Sequence, residues 1–393
     1  MLRRQLRRLP ILFLAALLAG TSFQKTANAE IKPLKTNAKA SALIDVKSGR
    51  LLYSEDGDKQ MRIASLTKIM TAIVAIEHGK LSDTVKTSKR AAHREGSSIY
   101  LELGEEMTLL NMLYGLMLRS GNDAATAISE HVGGSEEGFV LLMNEKAQLL
   151  GLENSQFKNP HGLDEDGHYS SANDLAKLTA YALRNPVFAE IVSTKVKTAP
   201  NPHENWQYSW KNKNKMLTMY EGADGVKTGY TKLSFRCLVS SATRNGQQLA
   251  AVTINDGDDW NDHRAMLDWG FNYYPLVEIT SKGQELAGYP YIIGQTFQYP
   301  LSENESLQSK LVVEDANSTR FALGERGTVE WYLNGDKVAA IPIYENGSRR
   351  LHLPEKQPMT KSALADYKKA QYSSNGKPAF IQSLVSVVNA LFG

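Results

Sequence analysis

Between Ile63 and Leu178 the apolar residues of this chain recur at helical spacing, and beyond Gly222 they switch to the short runs of strands. That change of period constrains the fold more than any other feature. Ile63 to Glu77 carries apolar residues at 66, 69, 70, 73, 74 and 76, and Met107 to Leu118 at 109, 110, 112, 113, 116 and 117. Each is expected to be a buried helix. Helices are also expected over 122–132 and 136–150, with Gly133-Gly134 between them and Gly151 as the stop. An irregular stretch from Asn159 to His168 precedes a further helix starting at Ser171. Residues 226–231, 235–243 and 249–254 then read as a meander, its last two strands joined by an Asn245-Gly246 turn, and 262–273 closes as a helix. An opening hairpin, 42–46 and 51–53, flanks Lys47-Ser-Gly-Arg50. Helices, antiparallel strands and a closing helix make an α+β domain with helices packed on an antiparallel sheet.

The remainder divides by composition. Residues 1–29 hold Arg3, Arg4, Arg7, Arg8 and Lys25, no acid, and an apolar run from Leu9 to Gly20 ahead of Ala27-Asn28-Ala29. This is the make-up of a signal peptide, and the run is too short to span a membrane. The whole chain has 45 basic and 42 acidic residues, a net charge of +3. Without the five leader bases the rest is slightly negative, so the composition points to no nucleic-acid partner. A hydrophobic content of 42% and a charged content of 22% exclude a disordered or collagen-like chain. The length beyond the leader exceeds what one core needs. Residues 30–275 are expected to form the main domain and 276–354 a small all-β domain with a hairpin around Asn334-Gly335. A polar linker, 355–378, leads to 379–393, where Gln382, Ser386 and Asn389 form one stripe and seven large apolar side chains fill the remaining face. That segment is expected to lie in a membrane interface, making an exported protein peripheral to the outer face of the cytoplasmic membrane. Cys237 is the sole cysteine, which excludes an internal disulfide and a cysteine zinc site, and no cofactor or metal is expected.

Three short motifs stand in order: Ser65-Leu66-Thr67-Lys68, Ser120-Gly121-Asn122 and Lys227-Thr228-Gly229. Alone each is weak, since S-x-x-K recurs at Ser22, Ser155 and Ser374. Context selects the first. Ser65 opens an apolar helix, and Lys68, three residues on, shares its face. Ser120 to Asn122 sits in a tight connection between helices. Lys227 to Gly229 sits on a strand, where Gly229 leaves room for a substrate to pair along the edge. A serine hydroxyl needs a base to become a nucleophile. No histidine adjoins Ser65 in sequence and no G-x-S-x-G elbow exists, so Lys68 is the candidate base. It must then be neutral, its pKa brought from near 10.4 to about 7 by burial and a second cation, for which Lys227 is the candidate.

With these motifs the chain resembles the serine D-alanyl-D-alanine carboxypeptidases among the low-molecular-mass penicillin-binding proteins. Ile63-Ala-Ser-Leu-Thr-Lys-Ile-Met-Thr-Ala72, Leu113 to Ala125, Asn159-Pro-His-Gly-Leu-Asp164 and Gly225-Val-Lys-Thr-Gly-Tyr-Thr231 carry the likeness. It covers roughly residues 35–275. Trp210-Lys-Asn-Lys-Asn-Lys-Met-Leu and Thr253-Ile-Asn-Asp256 look most like sporulation-associated members from Gram-positive spore formers. The resemblance implies the β-lactamase/penicillin-binding transpeptidase-like fold, with helices on both sheet faces. It also implies release of the terminal D-alanine from peptidoglycan stem peptides ending in D-Ala-D-Ala, and inhibition by β-lactams. By the same resemblance Ser65 is the nucleophile, Ser120 relays a proton to the leaving amine, and Asn122 holds the substrate amide and Lys68. Lys227 and Thr228 bind the terminal carboxylate, and the backbone N–H groups of Ser65 and Tyr230 form the oxyanion hole. A β-lactamase, a D,D-endopeptidase or a non-catalytic wall-binding scaffold are the alternatives; a scaffold would not need the complete residue set. His161 and His168 read as loop hydrogen-bonders, and Asp164 to Asp166 and Asp256 to Asp259 as solvated loops and caps. Leu233-Ser-Phe235 replaces the family's small-residue pair, a departure that bears on sheet packing.

Overall fold

Five antiparallel strands form the main sheet, in the order Leu51–Glu55, Ala40–Asp45, Gln247–Ile254, Phe235–Arg244 and Ala223–Thr231. The computed structural model describes residues 31–202 and 204–352, and everything below belongs to the unit that begins at Pro33. Both faces of the sheet are apolar. Ala42, Ile44, Ala250 and Val252 join one core, while Leu43, Leu249 and Ala251 join another on the opposite face. Period-two alternation of this kind requires cover on both sides. Helices Ala172–Leu183 and Pro186–Ser193 supply it on the first face and Asp259–Tyr273 on the second, so the domain is α+β. Helix Lys68–His78 runs through the larger core, buried at every residue from Lys68 to Ile76. A helix apolar all round has to be interior.

The strand register joins distant ends of the chain, Ala40 opposite Ile254 and Asp45 opposite Leu249. Two hairpins turn where expected, with Asn245 and Gly246 at φ +49° and +79° and Asn334 and Gly335 at φ +52° and +93°. Positive φ at both central residues is what a two-residue hairpin turn demands.

Other expectations need correction. The helix expected from Ile63 begins as a 3₁₀ turn, Ala64–Thr67, and becomes α-helical only at Lys68. Residues 107–118 divide three ways. Glu106–Thr108 pairs with Thr84–Lys86, Leu109–Tyr114 is α-helical, and Gly115–Arg119 widens into a π-helical turn. Apolar spacing over one or two turns suits all three helix types, so it cannot separate them. Asp256 and Asp259 are buried rather than solvated. Asp259 pairs with Arg236, and burial together with neighbouring Asp262 pushes Asp256 up to about 6.

Beyond Leu276 the described strands form separate sheets. Leu276–Thr280 pairs with Phe297–Pro300, and a four-stranded sheet runs Tyr291–Ile293, Asp336–Glu345, Glu325–Leu333, Gln308–Val313. One helical turn, Thr319–Ala322, stands among them without a signal in the sequence reading. Arg50 ties this part to the first hairpin, binding the Pro300 carbonyl and Glu305 with its guanidinium over the rings of Tyr274 and Tyr299. The signal peptide expected at 1–29, the linker at 355–378 and the helix at 379–393 lie outside the described residues. Among the described residues no helix is long and apolar enough to cross a membrane.

Candidate active site

The turn Ala64–Thr67, the start of helix Asn122–Gly133 and the edge strand Ala223–Thr231 converge at one place. Two glycines permit it. A Cβ on Gly229 would stand 3.2 Å from the Ser65 nitrogen, and one on Gly162, at φ +81°, only 2.0 Å from the Ala64 carbonyl oxygen. Gly229 therefore serves first to let the strand lie against the Ser65 turn, a different reason from the substrate pairing expected of it. Among the described residues the strand is an edge, paired with Phe235–Arg244 on one side and with no strand on the other, which suits it to an added chain. Thr67 secures the turn by donating its hydroxyl to the Ala64 carbonyl at 2.8 Å.

Lys68 is fully buried at the head of the central helix. Its Nζ lies 2.7 Å from Asn122 Oδ1, 2.6 Å from the His161 carbonyl oxygen and 3.1 Å from Ser65 Oγ. The Asn122 amide is oriented by its other end, where Nδ2 donates to the Glu95 carbonyl at 2.7 Å. Both carbonyl oxygens can only accept. With the amine neutral, two N–H groups serve these two carbonyls and the lone pair is left to accept from the Ser65 hydroxyl; with it charged, the third N–H donates to Ser65 Oγ. Burial, followed by the charges of Lys227 and Lys213, holds the Lys68 pKa well below the usual lysine range. The electrostatics favours the neutral amine, and the geometry places Ser65 Oγ where such an amine could take its proton.

Lys227 is also buried, donating to the Thr228 carbonyl at 2.6 Å, and burial with the Lys213 charge pushes it down to about 7. Ser120 is buried and held at φ +65° where the π-helical turn gives way to helix Asn122–Gly133. Thr228 and Gly229 are partly exposed and Tyr230 is exposed on the same edge strand. Ser65, Lys68, Ser120, Asn122, Lys227, Thr228, Gly229 and Tyr230 thus come from segments that meet, with a buried lysine beside a serine hydroxyl and a second buried lysine on the edge strand.

Sequence reasoning missed three contributors. Lys213 donates to Ser97 Oγ at 3.3 Å, and its backbone N–H reaches the Leu118 carbonyl at 3.1 Å, which brings a third lysine to the pair already named. Its only signal was the basic run from Lys211 to Lys215. The His161 carbonyl is a backbone atom and leaves no mark in side-chain motifs. Asp123 is buried and gathers the Ser98 hydroxyl and the N–H groups of Ile99 and Leu101. His161 and His168 are interior hydrogen-bonders, pushed down to about 2 and about 4 chiefly by burial. At the departure around Leu233, Thr231 and Ser234 exchange backbone-to-hydroxyl hydrogen bonds at 3.0 Å, and pairing continues to Thr231 opposite Phe235. Strand pairing is kept there, while the Leu233 and Phe235 side chains are largely exposed.

The family model for peptidase S11, D-alanyl-D-alanine carboxypeptidase, matches residues 24–258. D-alanyl-D-alanine carboxypeptidase DacF of Bacillus subtilis is 34% identical over 364 residues, 87% of this chain and 93% of its own length. Among solved structures, penicillin binding protein 5 of Haemophilus influenzae superposes with a TM-score of 0.65 at 26% identity, covering 80% of this chain and 98% of that one. A D-alanyl-D-alanine carboxypeptidase of Mycobacterium tuberculosis gives 0.60 at 31% identity, covering 63% of this chain and 96% of that one.

Proposed function

The chain belongs to peptidase family S11, the D-alanyl-D-alanine carboxypeptidases, and from that premise we infer how its residues divide the reaction. It is a serine D,D-carboxypeptidase of cell-wall metabolism. Ser65 Oγ attacks the carbonyl of the penultimate D-alanine while its proton passes to Lys68. The oxyanion forms between the backbone N–H groups of Ser65 and Tyr230. Ser120 carries the proton from Lys68 to the leaving nitrogen, the C–N bond breaks, and D-alanine departs. Water then attacks the Ser65 ester with Lys68 again as base, which frees the shortened peptide and restores the hydroxyl. Lys227 and Thr228 hold the terminal carboxylate, Gly229 lets their strand close on the turn, and Asn122 aligns the substrate amide with Lys68. The observation that carries this reading is a fully buried Lys68 Nζ, its pKa held down by burial and neighbouring lysines, 3.1 Å from Ser65 Oγ and fixed by Asn122 and the His161 carbonyl.

Intact-mass measurement after incubation with a penicillin tests it. Wild type should gain one penicilloyl adduct on the peptide containing Ser65, and Ser65→Ala none; an adduct elsewhere moves the nucleophile. β-Lactams act on this chain as inhibitors because they acylate that serine. The likeness to sporulation-associated members extends the role to wall maturation, in the spore cortex. The protein is exported and held at the outer face of the cytoplasmic membrane by residues 379–393, whose uncharged apolar side chains support interfacial binding. Deleting 377–393 should abolish sedimentation with lipid vesicles and leave D-alanine release from a soluble peptide unchanged. Vesicle binding that survives would move the anchor elsewhere.

A further inference from the structure

Next to the catalytic segments lies a groove of about 440 Å³ between the turn at Ser98 to Glu102 and the strand Tyr208–Lys211. That volume falls in the range of small-molecule sites. One wall is an aromatic ladder with a strand's period of two. Tyr208 and Trp210 stack at 5.5 Å, and Trp206 stands edge-on to Tyr208 at 5.7 Å. The Tyr208 hydroxyl donates to buried Glu105 at 3.0 Å, which fixes the ladder. On the other wall Tyr100 is held at φ +65° with 82% of its surface exposed. A bulky residue seldom adopts that backbone, and such strain concentrates at ligand clamps. Trp206, 57% exposed, offers a second open ring.

The groove is joined to the active site on both walls. Asp123 binds the turn that presents Tyr100, and it follows Asn122, whose own N–H donates to the Ser97 carbonyl at 2.7 Å. Across from it, Arg119 donates to the Lys211 carbonyl at 3.3 Å, two residues from Lys213. Two acids, Glu102 and Glu204, and two bases, Arg119 and Lys211, line the groove. A strongly charged ligand would meet repulsion from half of them. A neutral, flat, amphipathic one would not, since it could stack its C–H face on the exposed rings and direct its polar groups to the charged rim.

We propose that this groove is a saccharide subsite, which seats an N-acetylated sugar ring of the polymer whose peptide enters the Ser65 site. The proposal rests on the carboxypeptidase reading and adds the glycan to its substrate. Its test begins with titration of the full chain by a tetramer of N-acetylglucosamine, followed by tryptophan fluorescence and calorimetry. Wild type should show saturable binding, and Trp206→Ala and Tyr100→Ala should each weaken it roughly threefold to tenfold, the worth of one stacked ring. Trp206→Tyr, which keeps a ring, should retain most of the affinity, and matching melting curves exclude misfolding. D-alanine release from a short sugar-free peptide should be unchanged in these variants, whereas KM for glycan-linked stems should rise by a similar factor. Absence of oligosaccharide binding to wild type overturns the proposal. So does an equal loss on both substrates, which would assign the groove to the peptide. Penicillin labelling of Ser65, run in parallel, separates the two readings. Labelling without sugar binding sinks the subsite alone, and sugar binding without labelling sinks the catalytic reading alone.

Discussion

At the scale of single residues the chemistry turns on which proton sits where. Asn122 presents its carbonyl end to Lys68 because the Glu95 carbonyl holds the amide end, so a carboxylate in its place keeps the acceptor for Lys68, adds a charge beside it and gives up the hydrogen bond to Glu95. Asn122→Asp should raise the Lys68 pKa and slow penicillin acylation at neutral pH by about tenfold or more, with partial recovery as pH rises. Acylation at the wild-type rate would show that Lys68 is not the base. Lys68→Arg should fold and lose acylation by several orders of magnitude at every pH, because a guanidinium is not deprotonated in proteins. Lys227 behaves differently, since the carboxylate binding proposed for it requires its charge. With its pKa pushed down to about 7, kcat/KM should fall on the alkaline side as that proton is lost. Lys227→Arg keeps the charge and should remove this alkaline limb while retaining more activity than Lys68→Arg. A pH profile measured on both variants decides it. Of these residues, Ser65, Lys68, Asn122 and Lys227 were legible because fixed spacing in a motif survives in the sequence. Lys213 and the His161 carbonyl were not, because one is brought in from a distant loop and the other is backbone.

At the scale of elements, the start of helix Asn122–Gly133 does two tasks at once. Asn122 faces Lys68, while Asp123 in the same first turn holds the segment Ser98 to Leu101. An acid is favoured there by the helix dipole as well as by the N–H groups it receives. Asp123→Ala would leave the N–H groups of buried Ile99 and Leu101 without their acceptor. At 1–3 kcal/mol for each unsatisfied donor, the loss should be about 2–6 kcal/mol. Urea denaturation measures it, and Asp123→Asn, which can still accept, should lose less. Equal stability of Asp123→Ala and wild type would remove Asp123 as the fastener. The neighbouring elements explain why the sequence was a partial guide. Helix existence was readable from apolar spacing, but the 3₁₀ turn at Ser65 and the π-helical turn before Ser120 are set by what packs on them. Gly162 and Gly229 close on the first, and Ser120 ends the second in a left-handed conformation. Tertiary contact, not local propensity, chose those shapes.

At the scale of the whole molecule, the meander 223–254 and the hairpin 40–55 were each readable, yet nothing local says that Ala40–Asp45 lies beside Gln247–Ile254. The sheet and the helices packed on it create an interior that holds three histidines whose pKa values burial lowers, and this gives the fold a pH dependence. His263 is buried between Ser240 and Thr253 and pushed down to about 3, His168 to about 4 and His161 to about 2, in every case chiefly by burial. Their folded pKa values lie below the unfolded value of about 6.5. The unfolded chain therefore binds more protons once pH drops under 6.5, and stability present above that pH is lost on acidification. At pH 5 each histidine contributes a loss of about 2 kcal/mol, together about 6. Asp256 acts in the opposite sense. Pushed up to about 6, it protonates in the folded state first and returns about 1 kcal/mol over the same interval. From these four groups the balance is a loss on the order of 5 kcal/mol, which the raised carboxyl of Asp259 offsets further, set against the 5–15 kcal/mol that holds a typical domain together. Melting temperature should accordingly fall steeply between pH 7 and pH 5. His263→Gln should be less stable than wild type at pH 7 and show a shallower slope, since one of the three protonations is gone. A flat profile across that interval would mean that the interior takes up protons as readily as the unfolded chain does.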